Sequence, residues 1–232
     1  MSSRAQRGSF PASAKVPRPR LGKTEGFGFE PGEAVAHLRE ADPGLRLVID
    51  AAGPFAMELK SARSVFASLA EAIVYQQLSN KAAATIFARL CDHFPRGRSG
   101  LTPERLLDMS DEQIRSAGIS GAKLKSLRDL AERTSRGEVP SLAAARRMSD
   151  PELVERLIAV HGIGRWSAEM FLMFTLGRPD VLPLGDYSLR KAYASAFRKR
   201  ALPSPALLEK HGEKWRPFRT VASWYLWASL RP

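Results

Sequence analysis

Beyond about the first 30 positions, apolar residues recur at helical spacing along nearly the whole chain, and signals for strands are almost absent. The pattern predicts helices over 33–39 and 45–52, separated by the breaker Asp42-Pro43-Gly44. Two more follow over 65–74 and 82–94, joined by the polar stretch Gln76-Gln77-Leu78-Ser79-Asn80. Segments 103–109 and 111–117 come next, the second opened by Ser110 as N-cap, and 123–134 resumes the pattern after Gly118 and Gly121. A helix over 151–160, capped by Asp150, leads into His161-Gly162-Ile163-Gly164 and a second apolar helix over 166–176. The loop 179–186 holds two prolines, 188–199 is amphipathic with Leu189, Tyr193 and Phe197 on one side, and the last helix covers 217–230. Such a pattern predicts an all-α fold.

Two segments carry candidate chemistry. In the first, Gly162 and Gly164 let the backbone turn without a Cβ clash and expose N–H groups at the start of the next helix. Such a terminus attracts anions, and Arg165 and Ser167 can add donors to a phosphate. A plain structural turn between helices uses the same residues. In the second, Val181-Leu182-Pro183-Leu184-Gly185-Asp186 delivers a carboxylate to a helix start 22 residues beyond Gly164. Asp186 suits a simple N-cap there, and a cap can also hold a catalytic carboxylate rigidly with one oxygen turned to a cleft.

Charge narrows the choice of partner. The formal net charge is +12, which favours a polyanion because neutralised phosphates release counterions. Six basic side chains and no acid lie in residues 1–24, so the sequence reads as a disordered basic tail before a domain over 25–232. The single cysteine, Cys91, excludes an internal disulfide and a four-cysteine iron–sulfur cluster, and the four histidines lack metal-ligand spacing. No run approaches the roughly 20 apolar residues of a membrane span. Sequence alone therefore predicts a cytoplasmic monomer, nucleoid-associated in a bacterium, with no membrane partner.

The order of helix, His161-Gly162-Ile163-Gly164-Arg165-Trp166-Ser167-Ala168 and a Pro-x-x-Asp loop opening a helix resembles the helix-hairpin-helix DNA glycosylase superfamily. The similarity is greatest to its DNA-3-methyladenine glycosylase II branch. Further matches are Asp42-Pro43, Ile73-Val74-Tyr75-Gln76-Gln77-Leu78-Ser79, Gly118-Ile119-Ser120 leading to Lys123, and Lys214-Trp215-Arg216-Pro217-Phe218-Arg219, spanning about residues 30 to 230. The resemblance implies two helical lobes flanking a DNA-binding cleft, with duplex DNA carrying damaged bases as the partner. It places Asp186 in the catalytic position, stabilising an oxocarbenium-like transition state as the base leaves. It assigns the hairpin of Gly162, Gly164, Arg165, Ser167 and Ala168 to DNA binding. It requires no cofactor, although in some members hairpin carbonyls hold a monovalent cation, here at Ile158, Val160 and Ile163.

Departures from the family refine the expectation. Lyase-competent relatives carry a lysine two residues after the second hairpin glycine, where this chain has Trp166, so the implied enzyme hydrolyses without cutting the strand. Trp166 and Trp227 resemble the pocket tryptophans of alkylbase glycosylases, whose faces suit cationic methylated purines, and Tyr75 and Met170 border that pocket. Ordinary core packing is the alternative for both tryptophans. Gln76 or Gln77, more strongly Gln77, would wedge into the gap left by a flipped base. Relatives can carry an N-terminal β-rich domain for which the chain before residue 60 is too short, implying a more open pocket. The competing functions are excision of uracil or an oxidised purine, and a non-catalytic DNA-binding module, which would not need Asp186.

Overall fold

In the computed structural model, which describes residues 26–95 and 97–230, most helices begin at a side chain able to cap them. The basic tail over 1–24 lies outside the described residues. No strand occurs among the described residues, in agreement with the all-α expectation. The described residues divide into two compact units, one of 26–60 with 172–230 and the other within 61–171.

In the second unit, α3 (Val65–Tyr75), α4 (Asn80–Asp92), α5 (Pro103–Asp108), α6 (Asp111–Ser116), α7 (Gly121–Ser135), α8 (Leu142–Arg147) and α9 (Asp150–Ile158) precede most of α10 (Arg165–Phe174). Ser64, Ser79, Thr102, Ser110, Ser120, Ser141 and Ser149 each accept a backbone N–H three residues on, satisfying donors that a helix start leaves over. The cap of α9 is therefore Ser149, not Asp150, which is already the first helical residue. Helix α7 buries Leu124, Leu127, Leu130 and Ala131, and α3 buries Phe66, Leu69, Ile73 and Val74. Arg128 of α7 closes the end of α5 by donating to the carbonyls of Leu106, Leu107 and Met109 at 2.7, 3.1 and 2.6 Å.

In the first unit, α1 (Pro31–Ala41) and α2 (Pro43–Ala52) pack with α11 (Tyr187–Ala196), α12 (Pro205–Gly212) and α13 (Arg219–Ala228). Leu38, Leu45, Leu189, Tyr193, Trp215 and Tyr225 are almost fully buried in its core. Asp42, 2% exposed, joins the pieces. Its Oδ1 accepts the N–H groups of Gly44 and Leu45, capping α2, while Oδ2 accepts the Trp215 indole and His211 Nε2, each at 2.8 Å. Lys214 Nζ approaches the same oxygen at 3.2 Å. The Asp42-Pro43 pair thus does more than break a helix: the proline starts α2 and the carboxylate ties it to the segment before α13. The last helix begins at Arg219, later than the expected 217, and α8 and α12 were not predicted.

Candidate active site and nucleic-acid interface

The glycine hairpin lies between α9 and α10, and the second unit supports it from several directions. Gly162 has φ of +82°, and a Cβ there would meet Ser126 Oγ at 2.3 Å, so both conformation and space demand glycine. Ser126 Oγ also lies 3.1 Å from His161 Nδ1, and Asp129 Oδ2 accepts the His161 N–H at 2.7 Å. Val160 and Ile163 are buried, which anchors the turn from below, and the Ile163 N–H donates to the Val160 carbonyl at 3.0 Å. Gly164 differs from Gly162, since a Cβ there meets nothing within 4 Å. The space beside Gly164 is open to a ligand.

Helix α10 starts at Arg165, and the Ala168 N–H donates to the Gly164 carbonyl at 3.1 Å. A helix start of this kind, with its dipole, suits an anion. Arg165 is exposed, its guanidinium 3.6 Å from Glu155, a surface pair that a phosphate can displace at little cost. Ser167 is half-buried. The Ala168 side chain is fully buried and its N–H donates within the helix, so it packs against the core beneath the hairpin.

The two glutamines separate. Gln76 Nε2 donates to the Gly162 carbonyl at 2.9 Å, so Gln76 braces the hairpin. Gln77 is exposed and adopts φ of +58°, a left-handed conformation uncommon for a residue with a Cβ. Lys123 secures the same loop from behind, its Nζ donating to the Val74 carbonyl at 2.7 Å near the end of α3. Burial depresses the Lys123 pKa. Tyr75 ends α3 half-buried with its ring edge-on to Phe87, and Met170 is half-buried on α10. Trp166 keeps 38% of its surface exposed, unusual for an indole that only fills a core.

In the first unit, Asp186 is 4% exposed. It caps α11, as the sequence predicts, with Oδ1 accepting the Leu189 N–H at 2.6 Å. The same oxygen accepts the Trp227 indole N–H at 3.2 Å. Trp227 stacks on Phe174, ring centroids 6.1 Å apart and planes 28° apart. The approach loop is pinned to the start of α13. Thr220, fully buried, donates its hydroxyl to the Arg178 carbonyl at 2.6 Å and accepts the Val181 N–H at 3.0 Å. Arg219 Nε grips the Asp180 carboxylate at 2.6 Å, and Arg216 joins it. Val181, Leu182 and Pro183 are buried, so an apolar loop fixed at both ends delivers the carboxylate.

Sequence reading missed Thr220 and Asp180 and quoted Arg219 only within a matching segment, without its role, because their partners lie some 40 positions away. It also passed over Tyr187, which follows Asp186 directly and is 58% exposed. An exposed aromatic beside a buried carboxylate was the available signal. Among the described residues, no group of three or more His, Cys, Asp or Glu could hold a metal ion, and no helix is long and apolar enough to cross a membrane.

A model of the HhH-GPD superfamily of base excision DNA repair proteins matches residues 70–217. The chain is 39% identical over 203 residues to DNA-3-methyladenine glycosylase 1 of Schizosaccharomyces pombe, covering 86% of this chain and 87% of that protein. The solved structure of Schizosaccharomyces pombe 3-methyladenine DNA glycosylase (Mag1) in complex with abasic DNA is similar at a TM-score of 0.73 and 38% identity, covering 84% of this chain and 95% of that one. DNA-3-methyladenine glycosidase from Bacillus halodurans is similar at a TM-score of 0.75 and 36% identity, covering 84% and 87%. The chain belongs to the HhH-GPD superfamily of base excision DNA repair proteins.

Proposed function

We propose that this chain is a monofunctional DNA glycosylase that releases alkylated purines such as 3-methyladenine from duplex DNA, acting as a monomer and leaving an abasic site. The observation that carries the reading is Asp186, a carboxylate buried yet fixed by the Leu189 N–H at the start of α11. A carboxylate held this way needs no reorganisation when positive charge develops on the sugar. The C1′–N bond breaks with its electron pair leaving on the base, and water adds through oxygen to C1′ and gives up one proton. A cationic methylated base leaves neutral, which lowers the demand for acid catalysis. Asp186 stabilises the developing cation and orients the water.

The hairpin supplies the phosphate grip through the first-turn N–H groups of α10, Arg165 and Ser167, with the open space at Gly164 admitting the phosphate. Gln77 fills the gap left by the extruded nucleotide. Trp227, beside Asp186, offers a ring face to the base, and Trp166, Tyr75 and Met170 are further side chains whose chemistry suits an alkylated base. The carbonyls of Ile158, Val160 and Ile163 fit a monovalent cation: they are neutral oxygens, and Val160 O keeps a second lone pair beyond its bond to the Ile163 N–H. Bound there, such an ion would add positive charge beside the phosphate. No lysine stands at Trp166 to form a Schiff base, which supports hydrolysis without strand cleavage. Incubation with methylated duplex DNA tests the reading: released bases are expected, with strand breaks only after alkali. Covalent trapping on DNA by borohydride contradicts the monofunctional assignment, and absence of base release contradicts the enzyme.

A further inference from the structure

Asp186 Oδ1 receives two donors from different elements, its own helix through the Leu189 N–H and α13 through the Trp227 indole. A capping bond alone leaves a carboxylate able to rotate about its last torsion. A second donor arriving from another helix removes that freedom, and the indole cannot swing away easily because its face lies on Phe174. Asp186 is 4% exposed and Trp227 half-buried, so a charge-assisted bond there is stronger than the same bond at the surface.

Resting on the glycosylase reading above, we propose that Trp227 is a positioning residue that sets the rate of glycosidic cleavage by holding the Asp186 carboxylate through its indole N–H. This is separate from any stacking of its ring on the damaged base. The two roles make different predictions. A stacking platform acts on the base, so its loss alters binding and changes different lesions unequally. A positioning bond acts on the carboxylate, so its loss slows every lesion alike and leaves binding untouched.

The test uses the full chain with Trp227→Phe, which keeps a ring against Phe174 and removes the N–H, beside Phe174→Leu, which keeps the N–H and removes the ring contact. Single-turnover release of 3-methyladenine and 7-methylguanine from methylated duplex is measured, with Kd for duplex carrying 7-methylguanine on a hydrolysis-resistant 2′-fluorinated sugar, and the melting temperature. Trp227→Phe is expected to slow release of both bases in the same ratio, about tenfold to a hundredfold, the loss of one charged hydrogen bond. Its Kd stays within about twofold of wild type, and Phe174→Leu slows release less. A Trp227→Phe rate equal to wild type, or losses that differ strongly between the two bases, overturns the proposal. The Trp227 indole proton, followed by nuclear magnetic resonance, tests the bond apart from activity: it is expected downfield in wild type and shifted in Asp186→Ala. An unmoved resonance overturns the bond itself. Absence of base release by wild type instead defeats the glycosylase reading, and with it the role in rate, while the resonance still reports the contact.

Discussion

At the scale of single residues, the two hairpin glycines serve different ends although they stand two positions apart. Gly162 is required by the protein itself, through φ of +82° and the close approach of Ser126 Oγ. Gly162→Ala is therefore expected to destabilise the fold by about 1–3 kcal/mol, measured by urea denaturation. Gly164→Ala meets no atom within 4 Å and is expected to keep wild-type stability while weakening binding to duplex DNA. If both variants lost stability equally, the assignment of the open space to a phosphate would fail. Gln76 teaches a related lesson. Its neighbour Gln77 has the same side chain, but only Gln76 reaches the Gly162 carbonyl, 86 positions along the chain. The family resemblance pointed to a glutamine wedge, more strongly to Gln77, and the long-range bond adds a physical difference between the two.

At the scale of elements, helices with an apolar stripe and a capping serine or aspartate were legible, because both signals lie within a few residues of the helix they define. The stripe over 188–199 and the cap at Asp186 correspond to α11 within a few residues. The helices over Leu142–Arg147 and Pro205–Gly212 were not legible, being six and eight residues long, too short for periodicity to stand out. Asp186 could be singled out from its motif, whereas the pinning of its approach loop by Thr220 and Arg219 depends on tertiary contacts that no local pattern encodes. Asp42 shows how strong such contacts become. Burial pushes its pKa up, but hydrogen bonds from Trp215, His211, the Leu45 N–H and Lys214 outweigh it, holding the carboxyl below its ordinary 3.8. Asp42→Ala removes the cap of α2 and leaves buried donors unpaired, and is expected to cost about 3–5 kcal/mol in chemical denaturation.

At the scale of the whole molecule, two properties follow from charge. Burial lowers the pKa of His211 from 6.5, a shift only partly opposed by its bond to Asp42. Protonation of His211 therefore favours the unfolded chain, and its contribution, complete above 6.5, is lost progressively as pH falls. Asp42 has the same sign and adds a second loss below 3.8. Thermal unfolding scanned from pH 7.5 to about 5 should show a falling midpoint, and His211→Gln should flatten that fall; an unchanged slope would exclude His211 as the cause. The second property is the net charge of +12. Binding to undamaged duplex should weaken steeply with salt, with a log–log slope near −5 for about six phosphate contacts. Deleting residues 1–24, which carry six basic side chains and no acid, should flatten that slope if the tail touches DNA.

The central claim is that Asp186 drives base release from a fixed position, and Asp186→Asn tests it most directly. Asparagine is as good an N-cap as aspartate, so α11 should keep its start and the melting temperature should stay close to wild type. What the substitution removes is the negative charge. Single-turnover release of 3-methyladenine from methylated duplex is expected to fall by about a hundredfold to a thousandfold, with binding to the duplex retained. Release at the wild-type rate by a folded, DNA-binding Asp186→Asn protein would contradict the account.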